Sequence, residues 1–261
     1  MFKIELHSHC RWGSCDGALN EREIVQLLKE FGYDGFVLSN HYDMVQLKKF
    51  LYKDYMNISC SDEQKCPFKT TTSKYNATES ELLSCYSTWL GSIKLAKSVA
   101  DKVGIKCYAG MEYTLDNGNH IGVIGCTIED FEQEFVKPEM DIHYITDYAH
   151  RHGAITVNNH PYRRSNEPEV FVDGYEIVNT KHSMLDVYTE SGFNHKSGRL
   201  GLFVCGSDIH EKKHVGRSYT LFNDEPKDEK QLVRFILSGK YYNYILKDLE
   251  YRSKGYMLCE V

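Results

Sequence analysis

The sequence predicts an α/β fold in which a mostly parallel sheet, flanked by helices, closes or nearly closes into a barrel. Short apolar runs alternate with capped helical segments in β-α-β-α order throughout, the pattern of a parallel sheet covered by crossover helices. Five of those runs end in a residue able to ligate a metal ion: FKIELH, FVLSNH, KCYAGME, ITVNNH and LFVCGSD. The chain has 261 residues, 41% of them hydrophobic, which suits one barrel core. An open doubly wound sheet is the alternative.

Taken in order, residues 2–6 read as the first buried strand, and Asn20 as the N-cap of a helix over 21–31. A second strand at 35–38 leads into a long βα insertion at 42–77, with a short helical stretch at 44–53 and then a polar tract. Loops of this length in compact domains are usually functional or disordered, and βα connections lie on the catalytic face of a barrel. The insertion and its lysines are thus a candidate lid over an anionic substrate, or a solvated excursion with no contact. Thr78 and Glu81 have capping-box spacing ahead of a long helix ending near Val103. Strands follow at 106–110 and 120–125. A helix from Asp141 to His152 closes on Gly153, with strands at 154–157, 174–178 and 202–205 after it. Pro226 opens a last helix that stops at Gly239, in keeping with the preference for Pro first and Gly last. No internal repeat or Gly-Ser linker divides the chain, so residues 1–261 read as one domain.

Composition removes several classes of function. The net charge of −6, without a basic run, argues against long nucleic acids, whose phosphates must be neutralised by Lys and Arg. No stretch of eighteen apolar residues suggests a membrane span, and the first residues lack the features of a signal peptide, so a cytoplasmic location is expected. Most of the nine cysteines fall in apolar runs and read as buried thiols, whereas Cys60 and Cys66 in the polar insertion could form a bridge, a metal clip or neither. Cys10 and Cys15 lack a phosphate-cradling Cys-x5-Arg loop, and no dinucleotide or Walker loop is present.

Residues just past the C-terminal ends of parallel barrel strands converge on one face, so ligands distant in sequence meet in space. His7-x-His9 and Asp208-x-His210 are i, i+2 pairs, which on extended chain project to the same side. Glu112 can bridge two cations, and His41, His120 and His160 complete a mixed nitrogen and oxygen set suited to Zn, Mn or Fe(II) rather than Ca. The remaining histidines (143, 150, 152, 182, 195 and 214) do not follow strands and read as surface or helix residues. Tyr42, Tyr113 and Tyr162 adjoin candidate ligands and either wall a substrate pocket or fall there by coincidence.

These motifs, His7-Ser8-His9, Asn40-His41, Gly110-Met111-Glu112 with His120, Asn159-His160-Pro161 and Gly206-Ser207-Asp208-Ile209-His210, resemble in content and order the polymerase and histidinol phosphatase (PHP) superfamily of metal-dependent phosphoesterases. The resemblance spans nearly the whole chain. It implies a distorted (β/α)7 TIM-like barrel with a metal site of two or three divalent ions at the C-terminal face. Carried over by position, His7, His9, Glu112 and Asp208 would hold one metal, Glu112, His120 and His160 a second, and His41 and His210 a third. Asp16 looks like the further ligand of the third site, in a loop somewhat longer than many relatives show. The family often places a phosphate-binding Arg after the His-Pro turn; Arg163 fits that spacing better than Arg164, and Arg217 is a further substrate-binding candidate.

The function expected is hydrolysis of a small-molecule phosphate monoester, histidinol-phosphate-like or another phosphorylated metabolite, by attack of a metal-bound hydroxide, with Asp208, His210 and Arg163 catalytic. The alternatives are a phosphodiesterase or exonuclease acting on nucleotides or nucleic-acid ends, a phosphotyrosine-protein phosphatase, and a non-catalytic metal-binding domain.

Overall fold

A computed structural model describes residues 1–14, 16–43, 78–161, 167–179, 181, 202–245 and 259–260. In chain order its elements are β1 (Phe2–Ser8), α1 (Glu21–Glu30), β2 (Gly35–Leu38), β3 (His41–Tyr42), α2 (Glu79–Val103), β4 (Lys106–Thr114), β5 (His120–Ile124), α3 (Ile128–Gln133), α4 (Ile142–Arg151), β6 (Ile155–Asn159), β7 (Gly174–Asn179), β8 (Leu202–Gly206), β9 (Ser218–Phe222), α5 (Glu229–Leu237), β10 (Tyr241–Ile245) and β11 (Cys259–Glu260). The candidate lid lies outside the described residues from 44 to 77, as do Cys15, Cys60 and Cys66.

Helix ends follow the sequence signals. Asn20 and Thr78 cap α1 and α2 in full capping boxes with Glu23 and Glu81, each side chain bonding the other residue's backbone N–H. Gly104 ends α2 in the left-handed conformation, at φ +74°, that a side chain would strain. The last helix starts later than its proline suggests. Asp228, not Pro226, is the N-cap of α5, accepting from the Gln231 N–H.

All seven apolar runs form strands, in a mixed α/β structure whose sheet nearly closes on itself. The pairing order is β11-β10-β9-β1-β2-β4-β5-β6-β7-β8, with β3 against β4. Strict β-α-β-α alternation does not hold. A tight hairpin with no helix joins β4 to β5, which runs antiparallel to both β4 and β6, while β9 pairs antiparallel with β1. The reason is legible at residues 115–119, where Leu-Asp-Asn-Gly-Asn makes a turn far too short for a crossover. Closure comes from the segment after β8: His9 N–H donates to the Ile209 carbonyl (2.9 Å) and Ile209 N–H to the His7 carbonyl (3.1 Å).

Two apolar cores hold this sheet. Ile4, Leu6, Val37, Tyr108, Ile124, Val157 and Val204 point from successive strands into the lumen, where Leu232, Val233 and Ile236 of α5 join them. Since β5 runs antiparallel, Gly125, which meets Val233, marks the end of the barrel opposite the candidate ligands. The larger core lies outside the sheet against α1, α2 and α4, and it takes in Tyr42 and Tyr113. Both tyrosines are fully buried, with hydroxyls bonded to the carbonyls of Val136 and Lys137, so neither walls a pocket; Tyr162 lies outside the described residues. Cys10, Cys85, Cys107, Cys126 and Cys205 are buried free thiols. Among the described residues, no helix is long and apolar enough to cross a membrane.

Candidate metal centre

A strand with period-two alternation cannot send both Leu6 into the apolar lumen and His7 to the same side, yet β1 does. Its register against β2 slips between Glu5 and Ser8, a bulge that turns His7, and His9 after it, towards the barrel axis. A second slip between Glu176 and Val178 adjusts β7 on the facing wall. Bulges are a recurrent means of re-aiming side chains beside sites.

The nine candidate ligands His7, His9, Asp16, His41, Glu112, His120, His160, Asp208 and His210 come together at the strand ends. Glu112 on β4 is their hub and is fully buried. Its Oε1 lies 3.2 Å from His7 Nε2, 3.2 Å from His120 Nδ1 and 3.1 Å from His160 Nε2. Its Oε2 lies 2.7 Å from His41 Nδ1 and 3.4 Å from His9 Nε2. Asp208 Oδ1 sits 3.2 Å from His9 Nε2 and 3.1 Å from His210 Nδ1. Asp16, a third of its side chain exposed, faces His210 Nε2 at 2.9 Å and His41 Nε2 at 3.4 Å.

Four overlapping sets have ligand atoms close enough to share an ion: His9 with His41 and His210, His7 with Glu112 and His160, His7 with His9 and Asp208, and His41 with Glu112 and His120. His160 and Asp208 hold positive φ values of +30° and +50°, a region that non-glycine residues seldom adopt and that clusters at functional sites.

The chemistry of this donor set fits divalent cations. His9 Nδ1 shares a hydrogen bond with the Ser14 hydroxyl at 3.0 Å, while its buried Nε2 has no hydrogen-bond partner and confronts carboxylate oxygens of Asp208 and Glu112. Burial, with His210 and His41 nearby, holds the His9 pKa well below its ordinary value, so the imidazolium is disfavoured at a ring nitrogen that faces two carboxylates. Glu112 Oε2, 2.7 Å from His41 Nδ1, also faces His9 Nε2 at 3.4 Å. Such an array is costly unless a cation occupies its focus.

Protons balance the charge elsewhere in the cluster. Burial disfavours the imidazolium of His41, but Asp16 and Glu112 outweigh it and raise its pKa to about 10. Asp16 and Asp208 likewise overcome burial at His210, raising it to about 9. Burial opposes ionisation of Glu112, yet His120, His41 and His7 hold its carboxyl well below the usual range.

Several residues that support this cluster carry no motif. Glu176 on β7 accepts from His7 Nδ1 (2.9 Å) through one oxygen, and from His160 N–H and Asn179 Nδ2 (each 2.8 Å) through the other. A carboxylate behind a histidine in this way fixes the tautomer and leaves Nε2 as the ligand. Gly206 permits this packing, because a Cβ there would fall 2.4 Å from Glu176 Oε1 and 2.5 Å from His7 Cβ. Glu5 accepts from the N–H groups of His7 (3.0 Å) and Ser207 (2.8 Å), pinning the bulge to the segment after β8. Lys181 places Nζ 2.9 Å from His210 Nδ1. The one available signal in the sequence is a lone carboxylate inside an apolar strand, as in FKIEL and GYEIV.

His214 ends a short 3₁₀ helix (Lys212–His214), but it is not at the surface: it is 4% exposed, and its Nδ1 accepts from the His210 N–H at 3.2 Å. Burial, with His210, Lys181 and Arg217 close by, lowers its pKa to about 4. Arg217 immediately precedes β9, near enough for its charge to disfavour the His214 imidazolium. Arg163 and Arg164 lie outside the described residues, as do His182 and His195.

Comparison with known proteins agrees with this architecture. Residues 201–241, which include Asp208 and His210, match a family model described as PHP-associated. The fold is similar to the crystal structure of a two-domain protein from Bacteroides vulgatus containing a predicted PHP-like metal-dependent phosphoesterase, at 17% identity and a TM-score of 0.59. That match takes in 94% of this chain but 65% of the other, so this chain spans less than two thirds of the Bacteroides protein. PsfC from Pseudomonas syringae is similar at 11% identity and a TM-score of 0.51, over 89% of this chain and 87% of its own. No curated protein matches the sequence. The resemblance to the PHP superfamily holds for the fold, and in sequence for the segment beginning at β8.

Proposed function

We propose that this chain, PHP-like in fold, is a metal-dependent phosphoesterase that hydrolyses the phosphate monoester of a small molecule. The observation that carries this reading is Glu112: a single buried carboxylate whose two oxygens face five histidines, His7, His120 and His160 on one side and His9 and His41 on the other. A bridging carboxylate among imidazoles is the donor arrangement of a multinuclear centre. Its members would be Zn, Mn or Fe(II), two or three in number. Bound there, such ions would supply Lewis acidity towards phosphoryl oxygens and activation of water.

The protein's own residues set the geometry of that chemistry. Glu112 and Asp208 would lower the mutual repulsion of adjacent cations bound there, and Glu176 and Ser14 hold the His7 and His9 rings with Nε2 inward. Asp208 and His210, next to the partly exposed Asp16, would meet the substrate at the open side of the cluster. Arg163 would take a phosphoryl oxygen in a bidentate grip. The phosphoesterase predicted within the Bacteroides protein is of the same reaction class.

The test is hydrolysis of p-nitrophenyl phosphate and its bis-ester by purified protein, with metal content measured on the same sample and Mn, Zn or Fe returned after chelation. Metal-dependent cleavage of the monoester supports the reading. Cleavage of the diester alone would replace it with a phosphodiesterase, and failure to bind metal would remove its basis.

A further inference from the structure

The exposure of the cluster is graded. Side chains of His7, His9 and Glu112 are at most 3% exposed, whereas His41 is 11%, Lys181 21% and Asp16 33% exposed. The position between His9, His41, Asp16 and His210 is therefore the one at the rim. Lys181 stands beside it, against His210 and Asp208. Its Nζ lies 2.9 Å from His210 Nδ1, 3.1 Å from His210 Nε2 and 3.5 Å from Asp208 Oδ2.

Nearly equidistant from both ring nitrogens, the ammonium lies over the His210 ring rather than along an in-plane lone pair, so what it opposes is the approach of a second positive charge. Two positive charges cannot share that space without strong repulsion. The base of the lysine is anchored on the scaffold of the metal cluster: Lys181 N–H donates to Asn179 Oδ1 at 3.1 Å, and Asn179 Nδ2 donates to Glu176, which also holds His7 and His160. Beyond this anchor the four-carbon stem is flexible and the group is partly open to solvent.

We propose that Lys181 competes with the cation at the His9, His41, Asp16 and His210 position, and that a phosphoryl anion relieves the competition by drawing the ammonium away from His210. The third cation and the phosphate group then bind cooperatively, each strengthening the other by the same factor. The centre is in consequence two buried cations plus one that is recruited with substrate. This inference rests on the metal-centre reading above but not on turnover.

The experiment is equilibrium dialysis of the full chain against Mn(II), with and without inorganic phosphate, for the native protein, Lys181→Met and Lys181→Gln, with folding checked by circular dichroism. Without phosphate, both variants bind the third equivalent more tightly than native protein, on the order of tenfold. Phosphate then tightens the third equivalent in native protein by a larger factor than in either variant. A third-site affinity that is unchanged or weaker in both variants overturns the proposal, as does an equal phosphate effect in all three proteins. If the dialysis results hold while p-nitrophenyl phosphate and its bis-ester stay intact, the phosphoesterase reading fails and this inference stands. If no protein takes up a third equivalent, this inference fails while a two-cation phosphoesterase remains.

Discussion

His7 Nδ1 lies 2.9 Å from Glu176 Oε1, and this contact turns the opposite ring nitrogen towards Glu112 and Asp208. The histidine comes from the bulge of β1 and the carboxylate from β7, so the pair ties two walls of the barrel at the point where the ligands meet. Replacing Glu176 by Ala should lower metal affinity about 10–100-fold, the usual cost of losing a partner behind a ligating histidine. Glu176→Gln, which retains an acceptor oxygen, should lose less. Competition with a chromogenic chelator measures both, and equal affinity in all three proteins would make Glu176 a structural residue only.

Glu112→Gln tests the hub directly. The amide has the carboxylate's shape but one oxygen and no charge, so it cannot face His7, His120 and His160 on one side and His9 and His41 on the other as an acceptor. The variant should fold, bind fewer cations, and lose phosphomonoester hydrolysis by on the order of 10²-fold or more. Native turnover at full metal content would rule out a bridging role.

The ligand motifs are legible because each sits just past an apolar run, and barrel geometry makes such positions converge whatever their separation in sequence. The supports are not. Glu176 and Glu5 act through register slips, and a bulge depends on how neighbouring strands pair, which no single strand's sequence states. The same limit explains β5: its apolar pattern announces a strand but not its direction, and only the short turn at 115–119 betrays the hairpin. His214 escapes sequence reasoning because its burial comes from packing beneath His210 rather than from any pattern of its own.

Acid–base linkage gives the metal-free protein a distinctive pH profile. Against an ordinary 6.5, Asp16 and Glu112 overcome burial to raise His41 to about 10, and Asp16 and Asp208 raise His210 to about 9. A group with a higher pKa in the folded state contributes stability that is complete below the unfolded value and disappears as pH rises through the folded one. Melting temperature should therefore fall between about pH 6.5 and 10 when metal is chelated. A bound cation displaces these protons, so metal-loaded protein should show a flatter profile, and metal uptake near neutral pH should release protons. Calorimetric titration in buffers of different ionisation enthalpy counts them, and zero release would mean that His41 and His210 are already neutral in the metal-free protein.

Glu5 offers a test in which the fold and the site are separable. Its Oε1 accepts from the His7 and Ser207 N–H groups, while Oε2 is buried without a hydrogen bond. Burial raises the carboxyl pKa from 4.5 to about 7, against the lowering effect of those two N–H groups. Since the folded value is the higher one, Glu5 weakens the fold progressively as pH rises from about 4.5 to 7. Glu5→Gln keeps an oxygen for both N–H groups and carries no charge, so its stability relative to native protein should increase across that window. Glu5→Ala instead strands two buried donors, at about 1–3 kcal/mol each, and should be destabilised by roughly 2–6 kcal/mol. Urea denaturation at pH 5 and pH 8 distinguishes the cases. The expected order at pH 8 is Gln at least as stable as Glu, with Ala well below both, and an alanine variant as stable as native protein would show that the β1 bulge holds without this carboxyl.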